Sequence, residues 1–326
     1  MLDLPSIASA QLWAISVAVL LALLAVDFVI TRRPHEVAMR EAVGWSLFYL
    51  ALPAAFGALI WHLYGRRPAM EFYTGYVVEK SLSVDNLFVF MLLLAAFSVP
   101  PWLAQRVLLY GIAGALVLRA IFIAAGAVVL QSGTWAFLLF GGVLLLTAVK
   151  VFREALRHED YQVDIETMRS VRLMRRLMPV TGEYQGGRLT VRQNGRRALT
   201  PLALVVVAVF MTDLVFAVDS VPAVYGVTED PYLVFATNAF ALLGLRALYF
   251  VLHNVLDRLR HLNHGLAIIL AFIGVKLVLH WAHGLWPGVP DIPTDASLVV
   301  IAVTLATVTA TSLYSDRRDR VTTSVG

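Results

Sequence analysis

Apolar runs of roughly twenty residues recur along this chain, separated by proline, glycine and clusters of charge. They predict nine helices, at about 11–31, 43–61, 71–97, 104–130, 135–153, 201–224, 233–252, 265–285 and 296–314. Pro34, Pro68, the Pro100-Pro101 pair, the Gln131-Ser132-Gly133 turn, Pro201, Pro231 and the stretch from Pro287 to Pro293 punctuate them. About 20 apolar residues cross the roughly 30 Å of bilayer hydrocarbon, so the pattern describes an all-α polytopic membrane protein with about nine transmembrane helices. Residues 1–153 form a first membrane half, 154–200 an arginine-rich cytoplasmic linker, and 201–326 a second membrane half.

Composition agrees with a lipid environment. Hydrophobic residues make up 59% of the 326 and charged residues 15%, with a mean hydropathy of +0.76. There is no cysteine, which removes disulfides and thiolate metal sites and leaves oxygen and imidazole as the strong ligands. The net charge of +4 does not point to nucleic acid, because the basic residues sit in loops beside spans, where topology explains them. The run Leu12 to Ile30 lacks a positive segment ahead of it and is followed by Arg32 and Arg33, which reads as a span rather than a cleaved signal. Excess arginine in alternate loops places the N-terminus outside and the C-terminus in the cytoplasm, with Arg66 and Arg67 against the trend. Within the linker, Ile165 to Met178 fits either an amphipathic basic helix on anionic lipid or a solvated connection.

Charge inside the spans changes the picture from architecture to chemistry. The third helix carries Glu79-Lys80-Ser81-Leu82-Ser83-Val84-Asp85-Asn86, and the sixth carries Asp213-Leu214-Val215-Phe216-Ala217-Val218-Asp219-Ser220. Acid, five residues, acid, small polar is written twice. Arg119 and Arg246 follow in the next helices, and Lys150 and Lys276 in the ones after. Helices three to five (71–153) and six to eight (201–285) thus read as two three-helix repeats. An odd number of crossings separates their starts, so they are inverted, a plan that places polar sites at the repeat interface of transporters.

An ionisable group at the bilayer centre costs about 2.5–3.5 kcal/mol on insertion scales, so such groups face a cavity, a partner or a substrate. One reading pairs Glu79, Asp85, Asp213 and Asp219 with Arg119, Arg246 and Lys80 simply to hold helices together. The other makes the acids, with Asn86 and Ser220, a cation site, and the three bases counter-charges for it when it is empty. Asp27 is a weaker candidate ligand, since an ion pair with nearby Arg32 serves it equally well. Positions six apart differ by about 120° around a helix and roughly 9 Å along it, so one straight helix cannot aim both acids of a pair together. Glu79, Ser83 and Asn86 share a stripe, as do Asp213, Ala217 and Ser220. Pro222 predicts a break in the sixth helix that frees the carbonyl of Val218 beside Asp219. Carboxylate, amide, hydroxyl and carbonyl oxygens suit Mn2+, Mg2+ or Ca2+, and this ligand chemistry alone does not choose among them.

The segments EKSLSVDNLFVF (Glu79 to Phe90) and TDLVFAVDSVPAV (Thr212 to Val224) resemble those of the TerC/Alx family of bacterial membrane proteins, as do the stretches around Asp27, Arg119 and Arg246. The resemblance covers nearly the whole chain. It implies a secondary transporter in the bacterial inner membrane that exports Mn2+, with a metal site at Glu79, Asp85, Asn86, Asp213 and Asp219. The family's historical name comes from tellurium resistance, and one branch is associated with alkaline response. Proton exchange is the expected coupling. Two other classes stand against it: an intramembrane aspartyl hydrolase, disfavoured because no Gly-x-Gly-Asp setting occurs, and a non-transporting scaffold or tellurite-resistance factor acting through protein partners. No enzymatic activity and no catalytic cofactor are expected.

Overall fold

A computed structural model describes residues 6–31, 39–157, 168–193, 196–252, 262–286 and 288–323. The helices are α1 (Ala10–Thr31), α2 (Met39–Tyr64), α3 (Arg66–Ala96), α4 (Pro101–Gln131), α5 (Trp135–Arg157), α6 (Arg169–Leu177), α7 (Pro201–Tyr225), α8 (Pro231–Leu242), α9 (Leu245–Leu252), α10 (Leu262–Leu285) and α11 (Thr294–Thr323). A hairpin of β1 (Thr190–Gln193) and β2 (Arg196–Leu199) pairs antiparallel, with Thr190 opposite Leu199 and Arg192 opposite Arg197.

Eight segments among the described residues are long and apolar enough to cross a membrane, α8 and α9 counting together as one. The remaining long helix, α3, holds 31 residues and spans about 46 Å at 1.5 Å per residue. Its Glu79, Lys80 and Asp85 lower its hydropathy, and it is sheltered by packing against α2, α7, α8 and α11. Charge-bearing α3 is therefore central. By contrast α1, α2 and α5 turn large apolar side chains such as Ile15, Val29, Leu47 and Leu146 outward, as lipid-facing helices do. The chain is an all-α polytopic membrane protein.

Small residues let the interior helices approach closely. A methyl at Gly141 of α5 would fall 2.9 Å from the carbonyl oxygen of Gly274 on α10, so these two backbones meet where neither has a side chain. Gly244 serves a different need. It takes φ +84, a left-handed conformation, at the junction of α8 and α9, and the adjacent Leu243 amide closes α8 onto Ala239.

The expected break at Pro222 does not occur. α7 runs without interruption from Pro201 to Tyr225, and α3 is also continuous. Pro222 sits in the last turn of α7, where its missing amide leaves the Val218 carbonyl without its helical donor while the backbone stays helical to Tyr225. The discontinuity lies instead inside the predicted 233–252 helix, at Leu243-Gly244.

The linker is ordered where it is described. Val171 of α6 is buried with Leu202 and Val205 of α7, and the Tyr184 hydroxyl donates to the Phe97 carbonyl at 2.7 Å. Thr200 Oγ1 donates to the Arg188 carbonyl at 2.7 Å, tying the hairpin to the start of α7. The segment thus seats on the end of the bundle where α3 stops and α7 begins. Residues 165–167 of the predicted amphipathic stretch lie outside the described residues.

Candidate functional site

Glu79 of α3, Arg119 of α4 and Asp213 of α7 each lie near the midpoint of their helix. The fold brings all three together. Arg119 forms ion pairs with Glu79 and with Asp213, the latter at 3.3 Å, and its other terminal nitrogen donates to Asn238 Oδ1 on α8 at 2.8 Å. Asn238 is oriented by its own amide, which donates to the Val234 carbonyl at 2.9 Å. Arg119 is 1% exposed and Glu79 fully buried, so this cluster is shielded from both lipid and water.

The two predicted stripes point inward. Glu79, Ser83 and Asn86 are buried on α3, and Asp213, Ala217 and Ser220 on α7. Among the described residues, Glu79 Oε2, Ser83 Oγ, Asp213 Oδ2 and Ser220 Oγ are buried without a hydrogen-bond partner. Buried polar atoms nearly always have partners, so these four oxygens on two packed helices are open to one, a state that Ser46 Oγ and Tyr76 Oη share elsewhere in the bundle. All four are hard oxygen donors of the kind that bind divalent cations without sulfur. No three of His, Cys, Asp and Glu converge on a single point among the described residues. Asp219 is half-buried, within electrostatic reach of Arg119 and Lys150. The Asp85 side chain lies outside the described residues.

Arg246 anchors a separate network. Its guanidinium donates to Asp27 Oδ1 of α1 at 2.8 Å and to Gln105 Oε1 of α4 at 3.3 Å. Asp27 is therefore bonded across the bundle to Arg246, and Arg32, the partner expected at its own helix end, lies outside the described residues. Tyr49 of α2 lies in the field of both. The two arginines that match in sequence hold different acids: Arg119 takes Glu79 and Asp213, one from each half of the chain, and Arg246 takes Asp27.

Among the described residues, Lys80 meets neither network. Its ammonium donates to the Ala241 carbonyl at 3.2 Å, beside the break between α8 and α9. Asn238 and Gln105 were not singled out by sequence reasoning. Asn238, a polar side chain within an apolar run, carried the same signal as the acids, whereas Gln105 lies at the polar start of the predicted 104–130 helix, next to Arg106, and carried none.

Fold and site define a multi-pass membrane protein with an ionic core at mid-bundle. The chain belongs to the integral membrane protein TerC family, whose sequence pattern matches residues 64–320. It is 39% identical over 314 residues to an uncharacterized membrane protein of Myxococcus xanthus, covering 96% of this chain and 95% of that one. An uncharacterized membrane protein of Mycobacterium tuberculosis is 41% identical over 323 residues, covering 95% of this chain and 81% of its own length. A Salmonella typhi protein, Alx, whose name proposes a membrane-bound redox modulator, is 40% identical over 321 residues, covering 95% of this chain and 96% of its own. No solved structure matches the chain.

Proposed function

We propose that the chain is a secondary transporter that moves a divalent cation, Mn2+ in the first instance, out of the cytoplasm through the buried acids of α3 and α7. The observation that carries this reading is the set of four buried, partnerless oxygens on α3 and α7, two of them on the carboxylates that Arg119 already holds. A purely structural ion pair has no need of the extra oxygens. Two carboxylates against one guanidinium also leave the cluster short of positive charge, which favours a cation at its centre.

In this reading Glu79, Asp85, Asn86, Asp213 and Asp219 handle the metal, Ser83 and Ser220 contribute hydroxyl oxygens, and Arg119 neutralises the acids between ions. A guanidinium and a divalent cation cannot both occupy the carboxylates at short range, so Arg119 shifts toward Asn238 as metal arrives. Carboxylates that release protons when metal binds give proton exchange a physical basis. The N-terminus is outside the inner membrane and the C-terminus in the cytoplasm. Any redox effect shared with the Salmonella typhi relative would come through something other than the chain's own thiols, because it has no cysteine.

The test is Mn2+ flux in everted membrane vesicles. Asp213→Asn and Asp219→Asn are each expected to abolish uptake of Mn2+ into the vesicles at normal protein levels. Full transport in both variants would overturn the site. The reading of the chain as a non-transporting scaffold predicts instead that no member of the series moves metal.

A further inference from the structure

A second polar feature lies outside the Arg119 cluster, at the end of the bundle where α3 begins, α7 ends and α10 meets the chain leading to α11. A cavity of about 700 Å3 opens there, and its lining includes Glu71, Tyr225, Glu229, Lys276, His280 and Asp291. Most of these groups are already engaged. Glu71 accepts from Arg67 at 3.0 Å and from Thr228 Oγ1 at 2.7 Å, and the His280 ring stands between Asp291 at 3.2 Å and Glu229 at 3.6 Å.

Lys276 is the exception. It lies within the span His264–Leu285, is only 7% exposed, lines the cavity, and makes no hydrogen bond or ion pair with the described residues. Glu71 and Asp291 reach it electrostatically without touching it. A lysine whose task was to fasten α10 to its neighbours would contact one of them. An ammonium held in a cavity, inside a span and short of its counter-ions, is instead available to whatever enters.

Position connects this cavity to the deep acids. Glu71 precedes Glu79 by eight residues on α3, and Tyr225 follows Ser220 by five on α7, about 12 Å and 7.5 Å along continuous helices. Across that interval the helices close through Val78, Val221, Val224, Tyr225, Ile273 and Leu277, which belong to one buried apolar cluster. The same two helices thus carry a deep acid site, a dry plug and a polar mouth in series. Five carboxylates line the mouth against Arg66, Arg67 and Lys276, so it attracts cations overall while its buried floor repels them.

We infer that this cavity is the outer mouth of the cation path and that Lys276 is a tethered charge that bars hydrated divalent cations in the outer solution from descending to the deep acids. The inference rests on the transport reading given above. An ion leaving the deep site passes the lysine and enters a mouth whose carboxylates favour it. An ion arriving from outside is drawn by those carboxylates and then meets the lysine on its way down.

The experiment compares Mn2+ flux through the full-length protein in right-side-out and everted vesicles, for wild type, Lys276→Gln, Lys276→Met, Lys276→Arg and Asp213→Asn. Either neutral variant is expected to raise Mn2+ influx from the outer solution by about tenfold, and Lys276→Arg to keep the wild-type influx. An unchanged influx in whichever neutral variant reaches normal levels overturns the role of Lys276. The same holds if Lys276→Arg raises influx as far as the neutral variants do. Should Asp213→Asn transport normally, the deep-site reading fails instead, whatever Lys276 does. No flux in wild type removes both.

Discussion

Glu79 of α3 and Asp213 of α7, carboxylates from opposite halves of the chain, are held on the single guanidinium of Arg119. Removing one partner of a buried ionic group typically costs about 3–5 kcal/mol, because the remaining charge is left uncompensated. Arg119→Gln strands two. Its thermal unfolding in detergent should therefore fall well below that of the wild type, and added Mn2+ should recover more stability in the variant than it adds to wild type, since the metal then faces no internal competitor. Equal Mn2+ responses in the two proteins would show that Arg119 does not share its carboxylates with a cation.

Asp27 offers the opposite expectation. It is bonded to Arg246 of α9 at 2.8 Å, and Gln105 of α4 shares the same guanidinium, so this bond joins Asp27 to helices other than α7. Asp27→Asn should destabilise by about 3–5 kcal/mol, and the double variant Asp27→Asn/Arg246→Gln should regain much of that loss because both buried charges are then gone. Stabilisation by Mn2+ should persist in Asp27→Asn. A double-mutant cycle on unfolding, run with and without Mn2+, measures both, and loss of the metal response in Asp27→Asn would return this residue to the metal site.

The spans were legible because apolar length is a strong signal in lipid, and α3 was legible despite its charges because apolar residues flank them. The six-residue spacing of the acids left two alternatives, helices that meet or helices that unwind, because no straight helix aims both acids at one point. Long-range partners were not legible. Nothing local links Asp27 to Arg246 across 219 residues, or Arg119 to Asn238 across 119. Helix continuity misled in both directions: Pro222, a residue with a breaking reputation, sits harmlessly in a last turn, while the true break falls at Gly244, a residue that membrane helices often tolerate. In the linker, arginines dominated the pattern, and the short alternation of Thr190 to Gln193 that forms β1 was hidden beneath them.

The Gly244 break carries its own prediction. Ending α8 at Leu242 leaves its last carbonyls without helical donors, and Lys80 answers one of them at Ala241, placing a positive charge at the negative end of the half-helix. A side chain at Gly244 meets two penalties. The left-handed conformation disfavours L-residues by about 1–2 kcal/mol, and the added methyl falls 2.5 Å from Tyr49 Cβ. Gly244→Ala should thus lower thermal stability by about 2 kcal/mol or more, since Tyr49 is itself buried and has little room to retreat. Lys80→Met should leave the bundle folded while exposing the end of α8. Amide hydrogen exchange would then quicken around Leu242 to Leu245 and stay slow in the middle of α7. Lys80→Arg, which keeps a donor and a charge, should restore protection there. If Lys80→Met exchanges like wild type at this junction, the bond to Ala241 contributes nothing to holding the break, and Gly244 alone sets it.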